Sequence, residues 1–347
     1  DAVNDAPLPA DCATRPAGWQ LLEPGFVADA DPETDVVRAM LLAHPGGDVS
    51  FVATEGDNAV VRSYAGGQWS TLGNVINVNA GNTPAYAGYL ARTAAGELVL
   101  SAVEFGGVDG TGVYVFRLEG ETWTPLGAEL STASASVAGA PLVVFGEQVN
   151  VLWSQYFDSE TIGKSRINGK RWEGSAWNSL DPPLGQIAGP GASAISPHAA
   201  IDGDGRIYLV FAESSQSYIR YRDQNDATWQ TLGTGIIGSG AFDPRVALAD
   251  DGTIYVAYSK SDVESGSAIV VVERYNGSAF QEVVSINEAA GHANIKGLVA
   301  TGGRVIVAWV EGNDPARAVY VADVAGASIE VLGGAQGSGV VEASFEM

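Results

Sequence analysis

The stretch Ala199–Gly233, AAIDGDGRIYLVFAESSQSYIRYRDQNDATWQTLG, carries the fold in miniature. An apolar run reaches Asp204-Gly205, a dipeptide that tolerates the positive φ of a tight hairpin, and RIYLVFAE returns from it. YIRYR supplies a third run of alternating character, and TWQTLG a short fourth. Apolar residues at every second position mark half-buried strands, so the stretch reads as one small antiparallel sheet.

The same phrases recur along the chain. WSTLG occupies 69–73, WTPLG 123–127 and WNSL 177–180, with GWQLLEPG at 18–25. Aligning them marks Trp19, Trp69, Trp123, Trp177, Trp229, Phe280 and Ile329, at successive spacings of 50, 54, 54, 52, 51 and 49 residues. Turns with a central glycine keep the same beat at Gly47, Gly96, Gly146, Gly205, Gly252 and Gly303. A period of about fifty residues holding four short strands is the signature of a β-propeller blade.

Seven aromatic phrases stand against six hairpin glycines, and the mismatch decides the blade count. The terminal GVVEASFEM has the pattern of an inner strand alone, and PADCATRPAGWQLLEPG that of a third and an outer strand. The expectation is therefore a single all-β domain over 1–347, a seven-bladed propeller with a split closing blade. Its blades are expected at about 34–73, 84–127, 136–185, 194–233, 242–284 and 293–334, with 338–347 and 1–24 closing the ring. Six blades with an appended N-terminal strand is the alternative. Closure by both termini would suppress an exposed sheet edge.

The W-x-x-L-G phrases, the Gly- and Ser-rich links and hairpins such as DGDGRIYL and DDGTIYVA together resemble the tryptophan-marked propeller repeats of secreted bacterial proteins. That group includes seven-bladed fucose-binding lectins, and the resemblance covers nearly the whole chain. It implies a fold, and a lectin-like glycan-binding role as one expectation among the many functions propellers host. The sialidase turn S-x-D-x-G-x-x-W is missing, and no cluster of three arginines for a sialic-acid carboxylate is identifiable.

Composition agrees with a β-rich body: 44 of 347 residues are glycine, 17% are charged, and no segment keeps a helical apolar period. No apolar run is long enough to span a bilayer, so membrane insertion is not expected. The formal charge of −23 repels nucleic acid and anionic membrane, which excludes nucleic acid as an expected partner. Cys12 is the only cysteine, so no disulfide framework forms within the chain. The opening DAVNDAPLPAD, without an initiator methionine, favours export to the cell surface or beyond.

Equivalent positions in the repeats suggest where function sits. Eight residues after the hairpin glycine come Glu55, Glu104, Ser154, Glu213, Lys260 and Glu311; seven before it come Met40, Tyr89, Gly139, His198, Arg245 and Lys296. Both sets are expected on the face that carries the links between blades. The candidate ligand-binding residues are thus Glu55, Glu104, Glu213, Glu311, His198, Arg245 and Lys296, forming a charged mouth around the axis for a sugar or a cation. The plainer reading is cross-strand charge pairing, Lys296 with Glu311, His198 with Glu213 and Arg38 with Glu55. A further set, Arg62, Arg117, Arg171, Arg222 and Arg274, is expected to lie over the tryptophans.

The histidines lack any metal-ligand spacing, and Ser196 with His198 has no third partner for nucleophilic catalysis. Asp29, Asp31, Glu33 and Asp35 in DADPETD could offer oxygen ligands to Ca²⁺, the one cofactor considered; a solvated loop is the alternative. The leading expectation is a secreted or cell-surface propeller that binds a glycan or a surface protein without catalysis. One alternative is a structural subunit of an extracellular homo-oligomer or filament, exchanging strands at the closing blade. Another is a polysaccharide-active enzyme using the axial glutamates.

Overall fold

The computed structural model describes residues 36–333 apart from short segments between strands, the longest of them 185–191. The described residues form six antiparallel sheets and no helix. Five sheets have four strands and the third has five. Sheet follows sheet in chain order, each an up-and-down run, and the inner strands lie beside one another in succession: Val36–Ala43, Ala85–Arg92, Leu142–Phe145 (preceded by Ser136–Ala138 on the same neighbour), Ala194–Ile201, Ala241–Leu248 and Asn294–Thr301. This is a β-propeller, and we number its blades 1 to 6.

The expectation of seven blades is corrected to six. Each four-stranded sheet needs one inner hairpin, so blades are counted by the hairpin glycines and not by the aromatic phrase. All six of those glycines adopt positive φ, from 60° at Gly146 to 93° at Gly47. The aromatic phrase marks only a fourth strand, and its extra copy, at Trp19, lies outside the described residues together with the segments 1–24 and 338–347 assigned to a closing blade.

The core lies between blades more than within them. One buried cluster joins Met40, Val52 and Val61 of blade 1 to Leu90, Leu100 and Phe116 of blade 2. The same arrangement joins blades 2 and 3, 3 and 4, 4 and 5, and finally 5 and 6, where Trp309 is completely buried. A blade therefore buries its apolar faces only against its neighbours, as repeat units do.

Polar bonds cross the same seams. Each inner strand breaks register near its middle, for example between Val37 and Met40, Ala87 and Leu90, Ile195 and His198, and Phe242 and Arg245. A bulge frees backbone groups from the ladder, and buried ones must find partners. The preceding blade provides them. Thr54 accepts the Ala87 N–H at 2.8 Å and Ser259 that of Ile295 at 2.9 Å, while Ser154 donates to the Ala194 carbonyl at 2.8 Å.

The tryptophan phrase closes the seams at the rim. Trp123 Nε1 donates to the Leu72 carbonyl of blade 1 at 2.8 Å, and its indole covers Gly73. A Cβ at Gly73 would sit 2.6 Å from Trp123 Cδ1, and the glycine holds φ +80°, so no other residue fits there without displacement. Trp177 repeats the bond on the Leu126 carbonyl of blade 2 and packs over Gly127. The leucine and glycine of one phrase are the seat for the tryptophan of the next.

Candidate ligand-binding site

The ladder separates the charges that sequence alignment set face to face. Residues pair at equal distance from the turn, so His198 lies opposite Val210, and Glu213 is three rungs further along, opposite Ala194. Three rungs are about 10 Å of strand. In blade 6 Asn294 lies opposite Val310, and in blade 1 Val36 lies opposite Glu55.

Each of these residues is engaged locally. Glu55 receives a two-pronged bond from Arg62, Nε to Oε1 at 3.0 Å and Nη2 to Oε2 at 2.8 Å. Glu104 is buried and accepts the Val78 N–H at 2.6 Å, tying down the link into its own blade. Glu311, also buried, accepts Trp309 Nε1 at 2.9 Å. His198 Nδ1 accepts the Val246 N–H of blade 5 at 3.3 Å, so that nitrogen carries a lone pair and the ring joins two inner strands. Arg245 donates to the carbonyls of Asp243 and Pro244. Lys296 sits at the register break of blade 6, half-buried.

The arginine set also has other partners than the tryptophans. Arg117 pairs with Glu97 and Glu119, and buried Arg171 reaches Asn150 and the Gln224 carbonyl of blade 4. The cation–π contacts include Arg206 over Tyr221 and Arg220 over Tyr218. Asp29, Asp31, Glu33 and Asp35 lie outside the described residues, and among the described ones no three His, Cys, Asp or Glu side chains converge on a metal position.

Cavities open where blades meet. One, about 330 Å³, lies between blades 1 and 2 among His44, Ser63, Arg92 and Glu97. Another, about 600 Å³, opens among Ala43, His44, Ala199, Leu248, Val299 and Thr301 on the hairpin side, with His198 in its wall. Its walls are mainly aliphatic and its polar groups are used by the fold: His198 as above, His44 Nε2 with Ser50 at 2.6 Å, and Asp250 accepting the Gly302 N–H at 2.7 Å. Burial and the nearby Arg92 charge hold the His44 pKa below its ordinary value, so its ring is neutral near pH 7.

A third cavity has a different chemistry. On the linking side, where blade 4 meets blade 5, a cleft of about 230 Å³ is lined by Ser193, Ile195, Glu213, Ser214, Ser215, Phe242 and Ser261. The side chains of Ser214, Ser215 and Ser261 make no hydrogen bond among the described residues. Ile195, 47% exposed, is one of the most solvent-facing large apolar side chains described. Glu213 is among the lining residues and is almost wholly buried, 1% exposed.

Backbone strain gathers at this seam as well. The described non-glycine residues with positive φ are Ser196 (52°), Ser214 (51°), Ser215 (62°) and Asp243 (50°). Two line the cleft and two stand beside it, joined by a bond from Ser196 Oγ to Asp243 Oδ1 of 3.0 Å. Each such residue costs on the order of 1–3 kcal/mol and persists where the surroundings over-determine it, most often at ligand clamps. The Gly240 N–H donates to the Ser215 carbonyl at 2.7 Å and locks the turn against the link into blade 5. Alignment of hairpin glycines singled out Glu213 but missed the serines; the available signal was ESSQ at a turn where blade 1 has EGDN, with glycine.

No family model matches the chain, and no curated protein matches it. Among solved structures, the fucose-specific lectin from Aleuria aurantia is similar at a TM-score of 0.53 and 15% identity, over 86% of this chain and 94% of that one. The α-L-arabinofuranosidase from Fusarium graminearum gives 0.53 and 13%, over 85% and 91%. A polysaccharide lyase, an ulvan lyase, gives 0.55 and 9%, over 83% and 81%. At these identities the likeness is one of fold, which places the chain among the β-propellers.

Proposed function

We propose that this chain is a carbohydrate-binding propeller of lectin type, acting at or beyond the cell surface, and that the cleft between blades 4 and 5 is its sugar site. The observation that carries the reading is the lining: the unbonded hydroxyls of Ser214, Ser215 and Ser261, together with Ser193, Glu213 and the apolar Ile195 and Phe242. Sugars are recognised by such a combination, polar groups for the hydroxyls and an apolar wall for the ring face. A cavity of about 230 Å³ suits one sugar ring.

Binding is favoured over hydrolysis by the acid count. Paired-carboxylate glycoside chemistry requires two acidic groups flanking one bond. Glu213 is the one carboxylate among the described residues lining the cleft, and Glu55, Glu104 and Glu311 are held in other blades by their own contacts.

The test is a glycan array with the intact protein and with Ser261→Trp, which fills the cleft from an exposed position. Oligosaccharide binding should appear with the native chain and disappear in the variant at unchanged melting temperature. Silence across the array from a folded protein, or binding indifferent to the tryptophan, would overturn the proposal.

A further inference from the structure

The cleft between blades 4 and 5 has an apolar approach from blade 3, and that approach bears on how much of a glycan the protein holds. Resting on the glycan-binding reading above, we infer that Tyr156 forms a second subsite beside the cleft, so that the ligand is a stretch of polysaccharide built of equatorially linked pyranoses and not a single terminal sugar.

Among the described residues five large apolar side chains are exposed, and three of them, Tyr156, Ile195 and Ile236, stand at the linking ends of blades 3 and 4. Ile195 lines the cleft itself. Tyr156 approaches it from blade 3. Its strand, Gln148–Phe157, keeps an unbroken register with the next, so side chains alternate strictly and Tyr156 points to the same side as Ser154. Ser154 donates to the Ala194 carbonyl of blade 4, and Tyr156 stands two residues, about 7 Å of strand, further towards the linking face. A second thread joins the two places. Ser165 lies opposite Tyr156, and its N–H donates at 3.2 Å to Oγ of Ser193, which lines the cleft.

The Tyr156 side chain is 39% exposed, and its hydroxyl makes no hydrogen bond among the described residues. A tyrosine offers a rigid flat face at little conformational cost, with a polar tip. The apolar side chains are set among the hydroxyls of Ser193, Ser214 and Ser215. A pyranose matches that mixture, with C–H groups on its faces and hydroxyls at its edge. Equatorial linkage repeats the flat face at every residue, whereas an axially linked chain coils away from a platform. A docking protein needs a broad continuous patch, about 800 Å² on each partner, which three apolar side chains parted by hydroxyls do not supply. The cleft, about 230 Å³, holds one ring, so Tyr156 is covered only by a ligand that continues out of it.

Titration calorimetry with the full chain tests this on glucose, cellobiose, cellotetraose and cellohexaose, with maltohexaose as the axially linked control. Affinity should rise about tenfold from glucose to cellotetraose, and maltohexaose should show no such gain. Tyr156→Ala should cost cellotetraose about tenfold and leave glucose unchanged, while Tyr156→Phe, which keeps the face, should stay within about twofold of the native protein. The native length series against maltohexaose keeps the test decisive if the alanine variant fails to fold. An array hit on another equatorially linked chain supports the inference when the same Tyr156→Ala loss follows. Affinity independent of length, an equal gain for maltohexaose, or an alanine variant that loses nothing overturns it and leaves sugar binding standing, as does array binding confined to terminal sugars or axially linked chains. No binding of any probe, together with a silent array, overturns both.

Discussion

The seam between blades 1 and 2 and the seam between blades 4 and 5 are built from the same repeat and differ on the linking side and at the rim. At the first, Trp123 caps Gly73 at the rim, its indole N–H is satisfied by Leu72 and Thr54 satisfies the Ala87 N–H, and the cavity of about 330 Å³ at this seam lies on the hairpin side, among Ser50, Ser63, Arg92 and Glu97. At the second, the fourth-strand aromatic is Phe280, which has no N–H to donate, and the linking side opens into a cleft with unbonded hydroxyls and strained serines. Where the seam is complete the molecule is architecture. Where it is left incomplete, there is surface for a ligand to finish.

The largest effect should come from breaking the tryptophan-capped rim. Trp123→Ala removes a buried aromatic and leaves the Leu72 carbonyl without its donor, at an expected cost of about 3–5 kcal/mol in a denaturant titration. Trp123→Phe, which keeps the ring and loses the bond, should cost about 1–3 kcal/mol. If the phenylalanine variant is as stable as the parent, the indole bond contributes nothing and the two seams differ only in shape.

An intermediate effect of opposite sign is expected at the open seam. Ser214→Gly with Ser215→Gly relieves two left-handed serines and should stabilise the fold by about 1 kcal/mol, while weakening sugar binding through the lost hydroxyls. Destabilisation, or stabilisation with affinity intact, would separate the strain from the site.

The smallest effect is a pH dependence in blade 5, on the far side of the same seam. Burial raises the Glu273 pKa, with Glu282 adding to it, against the opposing bond from Tyr258 at 3.0 Å and the Lys260 charge. A carboxyl raised on folding holds its proton more tightly in the native state. Its stabilising contribution is therefore full below the ordinary glutamate range and is lost as pH rises through the folded pKa. Glu273→Gln should raise the melting temperature at pH 7 and change it little near pH 4. An equal shift at both values would mean that the carboxyl's charge is not the cause.

What could be read beforehand differs between the two seams for a physical reason. Positive φ in a tight hairpin is costly for residues with a Cβ, so Gly205 or Gly252 declares itself, and with it the strand order and the blade beat. Trp123 also announces itself, although as a seam-filler it was legible only by comparison with Phe280 and Ile329. The seven-blade count failed because an aromatic phrase marks one strand and a sheet needs four. The cleft was illegible for the converse reason: Ser214 and Ser215 take φ values that the sequence ordinarily reserves for glycine, held there by neighbours such as Gly240. Glu213 was singled out by its repeat position, but that position recurs in Glu104 and Glu311, and only the cleft beside Glu213 distinguishes it from them.

The seating of each tryptophan on the preceding phrase also constrains how such a chain changes over generations. A side chain gained at Gly73 would be felt first at Trp123, some fifty residues away, and a smaller residue at Trp123 would be the natural compensation. Successive repeats are thereby bound to drift in pairs, each inheriting the other's tolerance, and a blade freed of its partner's indole is the one at liberty to acquire something new.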